Sequence, residues 1–160
     1  MTIELIPGYD HPREIAALFE EYTAMLVEND PAFAAYLTLQ RYDDELRHLE
    51  EKYGPPRGRL YLARCSGEAA GCIALRRLDD ARGELKRLYV RPAFRGRGLA
   101  RRLTEQIIDD ARRLGYRELL LDTLPFLTGA LALYRSLGFE EIPVYNDSPM
   151  QDAIYLRLEL

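Results

Sequence analysis

The sequence predicts one α/β domain of the α+β type, with a mixed central sheet of about seven strands and about four helices. Two observations carry this. Apolar runs of strand length interleave with helical spacing in the order β-αα-β-β-β-α-β-α-β-β, and no repeat, low-complexity tract or linker divides residues 1–160. A chain of 160 residues, 48% hydrophobic and 30% charged, has the size and composition to bury a single core.

Residues 2–6 (TIELI) form the first expected strand, closed by Pro7-Gly8. A helix follows from Asp10–Pro12, where proline suits a first turn. Ile15, Leu18, Phe19, Tyr22 and Leu26 then make one apolar stripe, broken by Asn29-Asp30-Pro31. Tyr42, Leu46, Leu49 and Tyr53 repeat the spacing, so a second helix is expected to run to about Tyr53 and end at GPPRG. Residues 59–65 (RLYLARC) and 69–77 (AAGCIALRR) read as a hairpin, and 83–90 (GELKRLYV) as the next strand. Leu99, Leu103, Ile107, Ala111 and Leu114 mark a helix from Gly98, stopped by Gly115. The continuous apolar core of 117–123 (RELLLDT) suits a strand covered on both faces. A short helix over about 128–137 ends at Gly138, and strands near 139–144 and 152–158 flank the turn-rich YNDSP.

Charge excludes some functions. A net charge of −4 argues against a broad nucleic-acid face. The start MTIELIPGYD lacks a basic, apolar leader, and no apolar run approaches the roughly 18 residues that span a bilayer, so the expectation is a cytoplasmic protein with no membrane partner. In a tight hairpin around Ser66-Gly67, Cys65 faces Glu68 and not Cys72, so the two cysteines are expected as free thiols. With only His11 and His48 besides, no metal-ligand spacing appears.

Against this acidity stands VRPAFRGRGLARRL at 90–103. A strand end, a loop with Gly96 and Gly98, and a helix start together suit an anion. The first helical N–H groups lack intrahelical partners, glycine permits close backbone approach, and arginine clamps phosphate. An exposed loop with incidental arginines has the same composition. No GxxxxGK[ST] is present, and the position three after Gly98 is Arg101, which excludes a GxGxxG fingerprint.

The run Arg95-Gly96-Arg97-Gly98-Leu99-Ala100 resembles the R/Q-x-x-G-x-G/A motif of the GNAT superfamily of CoA-dependent N-acetyltransferases. ELKRLYVRP (84–92) is similar to that family's fourth strand, and ALYRSLGF (132–139) to its late helix–strand junction. The resemblance implies a GNAT-like, mostly antiparallel sheet and acetyl-CoA as cosubstrate with no metal. Main-chain groups of Leu88, Tyr89 and Val90 would pair with the pantetheine arm. The amides of Arg95, Gly96, Arg97, Gly98, Leu99 and Ala100, with Arg101 opening the helix, would wrap the pyrophosphate. Arg91 and Arg102 serve equally as surface charge. One departure is Leu127, seven positions before Tyr134, where the family often has an asparagine.

The resemblance further implies two catalytic residues. Tyr134 takes the place of the tyrosine that protonates the departing thiolate; an ordinary phenol (pKa about 10) must give a proton to a thiol of about 8.5, uphill by roughly 2 kcal/mol. Packing against Ala130, Leu133 and Leu137 is its structural alternative. Glu84 aligns with the glutamate that is the base in the histone-acetylating branch, with an ion pair to Lys86 or Arg87 as the alternative; Asp122 and Asp147 rank behind it. A strand bulge, common in this family, prevents alternation from fixing the face that Glu84 occupies.

The resulting expectation is acetyl transfer from acetyl-CoA to a primary amine by direct attack in a ternary complex. The alternative is a non-catalytic acyl-CoA-binding or regulatory module of the same fold. Glu20, Glu21, Glu28, Asp30, Asp43, Asp44 and Asp147 fall on the segments that select the acceptor. They read either as an acidic rim for a cationic amine or as solvated faces. Tyr36, Tyr42 and Tyr145 read as an aromatic wall or as core. The C-terminal strands of this family often pair between subunits, which admits a homodimer.

Overall fold

A computed structural model describes residues 2–39 and 41–160; Met1 and Gln40 of the expected domain lie outside the described residues. The strands are β1 (Ile3–Pro7), β2 (Arg59–Cys65), β3 (Glu68–Arg77), β4 (Arg82–Val90), β5 (Glu118–Thr123), β6 (Glu140–Ile142) and β7 (Ile154–Glu159). They form one sheet in the order β1-β2-β3-β4-β5-β7-β6. Only β4 and β5 run parallel. The β2–β3 hairpin pairs Cys65 with Glu68 as expected, and both cysteines are free.

Among the described residues six α-helices stand where about four were expected: α1 (Pro12–Asn29), α2 (Phe33–Leu39), α3 (Tyr42–Arg47), α4 (Leu49–Tyr53), α5 (Leu99–Arg113) and α6 (Thr128–Ser136). The expected second helix breaks at His48, which leaves helical geometry at φ −135° and ψ 55°. The break keeps Leu49 and Tyr53 in the core while Lys52 Nζ returns to within 2.6 Å of the buried Glu45 carboxylate. The α2 segment is too short to show a repeating stripe, yet its Phe33 and Tyr36 are buried against each other at a ring separation of 5.3 Å.

The sheet divides the core. On one face, Leu103, Ile107 and Ala111 of α5 pack on Leu75, Leu85 and Leu119. On the other, Ile15, Leu18 and Phe19 of α1 pack with Tyr53 on Leu60 and Leu62. Each such side chain contributes about 1.5–3 kcal/mol through burial. A third, smaller group joins Leu26, Phe33 and Tyr36 to Leu124 and Met150. Among the described residues no helix is long and apolar enough to cross a membrane.

Two irregularities open the sheet. The β4–β5 ladder joins only Arg82–Glu84 to Glu118–Leu120, so β4 beyond Glu84 presents unpaired backbone on that side. On its other side β4 carries a bulge: Cys72 pairs with Tyr89 and Ala74 with Lys86, which sets Arg87 and Leu88 against Ile73 alone. Arg87 takes a left-handed φ of 60° there.

Candidate active site

A cavity of about 690 Å³ occupies the divergence of β4 and β5. Its floor is Lys86–Val90, one end is the Arg95–Arg101 turn, and the other lies under α1, α2 and the segment between β6 and β7. Every residue expected to bind the cofactor lines it except Arg97, whose guanidinium turns to the Phe94 ring (5.7 Å) and Cys65 Sγ (3.7 Å).

The turn requires glycine for its backbone. Gly96 and Gly98 sit at φ 77° and 78°, and a Cβ at either would meet no neighbour, so conformation and not crowding selects them. Gly98 is the N-cap of α5, and no side chain caps that end. The amides of the first helical turn therefore remain available to an anion, aided by the helix dipole. Arg95 Nε donates to the Val90 carbonyl at 3.0 Å, tying the turn to the end of β4. Arg101 Nη2 donates to Ser136 Oγ at 2.8 Å and so links α5 to α6. Arg91 is engaged elsewhere, in a two-pronged pair with Glu21.

Tyr134 of α6 lines the cavity and is 5% exposed, with its ring 5.5 Å from that of Phe139. Burial pushes its phenol pKa up, and the charges of Tyr22 and Asp122 add to this. The hydroxyl thus keeps its proton across the physiological range, the opposite of the lowering that a strong acid would need.

Glu84 does not line the cavity. The bulge lies beyond it, so alternation holds from Glu84 to Lys86 and both side chains share the α1–α4 face. Glu84 is 3% exposed; it accepts from the Tyr145 hydroxyl at 2.6 Å and pairs with Arg76 at 3.1 Å. The carboxylate that reaches the cavity is Asp122 of β5. Its Oδ2 accepts from Tyr36 Oη at 2.6 Å and from Asn146 Nδ2 at 3.0 Å. Burial would raise its pKa, but Lys86 and these two donors outweigh burial and lower it, so it is ionised. Asn146 is fixed in turn by the Tyr155 hydroxyl at 2.9 Å.

None of the seven acidic side chains expected as an acceptor rim lines the cavity; Glu21 pairs with Arg91 and Asp44 with Arg41. Of the three tyrosines, Tyr36 forms wall, while Tyr145 is spent on Glu84. Beneath the bulge sits a group that sequence spacing does not reveal. Arg87 and Lys52 converge on Glu45, whose pKa burial would raise but Arg87 and Lys52 together push down to about 2. Among the described residues no cluster of metal-binding side chains occurs.

Comparison with known proteins agrees with this geometry. The sequence profile of the acetyltransferase (GNAT) family matches residues 15–139. The chain belongs to the GNAT family. An uncharacterised N-acetyltransferase of Schizosaccharomyces pombe is 39% identical over 143 residues, 88% of each chain. Among solved structures, an acetyltransferase from Streptococcus agalactiae superposes with a TM-score of 0.78 over 99% of this chain and 98% of its own, at 24% identity. A GNAT acetyltransferase from Elizabethkingia anophelis with acetyl-CoA bound is 29% identical, with a TM-score of 0.56 over 65% of this chain and 77% of that one. The GNAT fold thus accounts for the mixed, mostly antiparallel sheet.

Proposed function

We propose that this GNAT protein transfers an acetyl group from acetyl-CoA to a primary amine in a ternary complex. The observation that carries this reading is a single cavity joining the uncapped start of α5 to the Tyr134 hydroxyl along the unpaired edge of β4. The Elizabethkingia relative with acetyl-CoA bound supports the choice of donor.

The residues fit the donor in three places. The amides of Gly96 through Ala100, with the side chains of Arg95 and Arg101, receive the pyrophosphate at the left-handed glycines; the Arg95 amide itself donates to the Pro92 carbonyl. Leu88, Tyr89 and Val90 pair main-chain groups with the pantetheine amides, as an added strand would, the Val90 carbonyl being shared with Arg95 Nε. A backbone N–H near Val90 is assigned to the thioester oxygen, and a preorganised donor of this kind is worth about 2.7–4 kcal/mol in other acyl transfers.

The amine nitrogen attacks the thioester carbonyl carbon, the C–S bond breaks, and the acceptor gains an amide as CoA leaves as a thiolate, which takes up the proton that the nitrogen gives to Asp122 and Asp122 passes on. Asp122 serves this reaction as the proton acceptor, directly or through one water, because it is ionised and faces the cavity. Tyr134 supports the departing sulfur as an O–H donor; its raised pKa suits hydrogen bonding better than full proton release. Glu84 does not line the cavity; its neighbour Lys86, 3.9 Å away, does.

Thiol release from acetyl-CoA across a panel of primary amines tests the reading. Amine-dependent release is the expected result. Saturable CoA binding with no release for any amine would replace it with the non-catalytic acyl-CoA-binding module.

A further inference from the structure

From the acceptor end of the cavity we infer that the amine substrate also carries a carboxylate, on an apolar or aromatic body, and that Lys86 binds that carboxylate. This rests on the acetyltransferase reading above.

Lys86 lines the cavity with its side chain 7% exposed. No described residue hydrogen-bonds its ammonium. The anion within 4 Å is Glu84 at 3.9 Å, whose carboxylate already takes the Tyr145 hydroxyl and the Arg76 guanidinium. A buried ammonium keeps its charge at a cost unless an anion meets it. Its surroundings do not supply a full one. Arg76, Arg87, Lys52 and Lys86 surround Glu45, Glu84 and Asp122, with Glu45 shared by Arg87 and Lys52.

The other walls define the rest of the molecule. Met25, Leu26, Phe33, Leu124, Phe126 and Met150 offer an apolar lobe suited to a hydrocarbon or aromatic body. Asp122 carries both of its hydrogen bonds on Oδ2, which leaves Oδ1 to receive the amine. Asp122 and Lys86, at matching positions on the diverging strands β4 and β5, thus complement the two charges of a zwitterion beside an oily lobe. A polycationic acceptor finds no matching acidic wall here.

The test compares phenylalanine, methionine and 4-(aminomethyl)benzoate with their carboxamides in thiol release from acetyl-CoA. Each acid is expected to exceed its amide in kcat/KM by about ten- to a hundredfold, as loss of a charged hydrogen bond implies. Lys86→Met should abolish that preference and Lys86→Arg should keep most of it. In parallel, 3-phenylpropionate, which has no amine, should raise the unfolding temperature of the CoA-loaded wild type and not of CoA-loaded Lys86→Met. Equal turnover of acids and amides would overturn the inference. So would an equal loss for both in Lys86→Met, because Lys86 would then act on the acyl group. No release with any amine sinks the acetyltransferase reading alone; 3-phenylpropionate binding then still decides whether Lys86 holds a carboxylate.

Discussion

Arg87 and Glu45 form a buried two-pronged ion pair, Nε to Oε2 and Nη2 to Oε1 both at 2.8 Å, under the bulge of β4. The pair holds Arg87 at a left-handed φ of 60°, a conformation that costs a non-glycine residue about 1–2 kcal/mol. Because Leu88 shares the bulge, Glu45 on α3 helps to aim the backbone that lines the cofactor end of the cavity. Glu45→Ala leaves Arg87 and Lys52 without their anion, a loss of about 3–5 kcal/mol. Thermal unfolding should show a drop of about 6–20 °C, and KM for acetyl-CoA should rise. An unchanged melting temperature would deny the pair its role.

The same pair governs acid stability. Glu45 is held at about 2 in the fold, below its ordinary 4.5, so its stabilisation is complete above pH 4.5 and fades as pH falls toward 2. Unfolding free energy measured across that window should decline more steeply for the wild type than for Glu45→Gln, which has no proton to take up.

Gly98 tests the anion turn. Any side chain there must adopt φ 78°, and a glutamate also sets negative charge against the start of α5. Gly98→Glu should weaken CoA binding at least about tenfold, combining strain with repulsion, each worth about 1 kcal/mol or more. The fold should persist, since a Cβ meets nothing within 4 Å.

Tyr134→Phe removes the O–H but keeps the ring against Phe139. Loss of a positioned proton or hydrogen-bond donor lowers kcat by about a hundredfold or more. KM for acetyl-CoA should stay near the wild-type value. A raised KM with kcat unchanged would assign the residue to binding.

The pH dependence follows from the two shifts in the site. Asp122 is lowered below the usual carboxylate range and Tyr134 is raised above the usual phenol range, so neither changes charge between pH 6 and 9. The rise of kcat/KM with pH should therefore track the acceptor amine. An α-amine near 8 should level off about two units below an alkylamine near 10. One common midpoint for both amines would point to a different titrating base.

What the sequence made legible was local. The left-handed glycines, the start of α5 and the position of Tyr134 depend on neighbours a few residues away, so RGRGLA and ALYRSLGF sufficed to find them. The acceptor end depends on long-range meetings. Asp122 joins Tyr36 and Asn146, 86 and 24 residues distant, one on a helix too short to show periodicity and one in a turn. Glu45 and Arg87 lie 42 residues apart, and a glutamate beside Asp43 and Asp44 reads as solvated surface until the break at His48 is known. Glu84 drew attention by alignment; its pairing with Arg76 and Tyr145 is visible only once β3 and the β6–β7 segment are placed.

The central claim is that a diphosphate-bearing coenzyme docks on the Arg95–Ala100 turn with its sulfur beside Tyr134. Calorimetric titration of coenzyme A into the purified protein and into Gly98→Glu tests it most directly. Saturable one-to-one heat in the wild type, strongly weakened in the variant, is the expected result. No heat with the wild type, or an undiminished signal in Gly98→Glu, would contradict it.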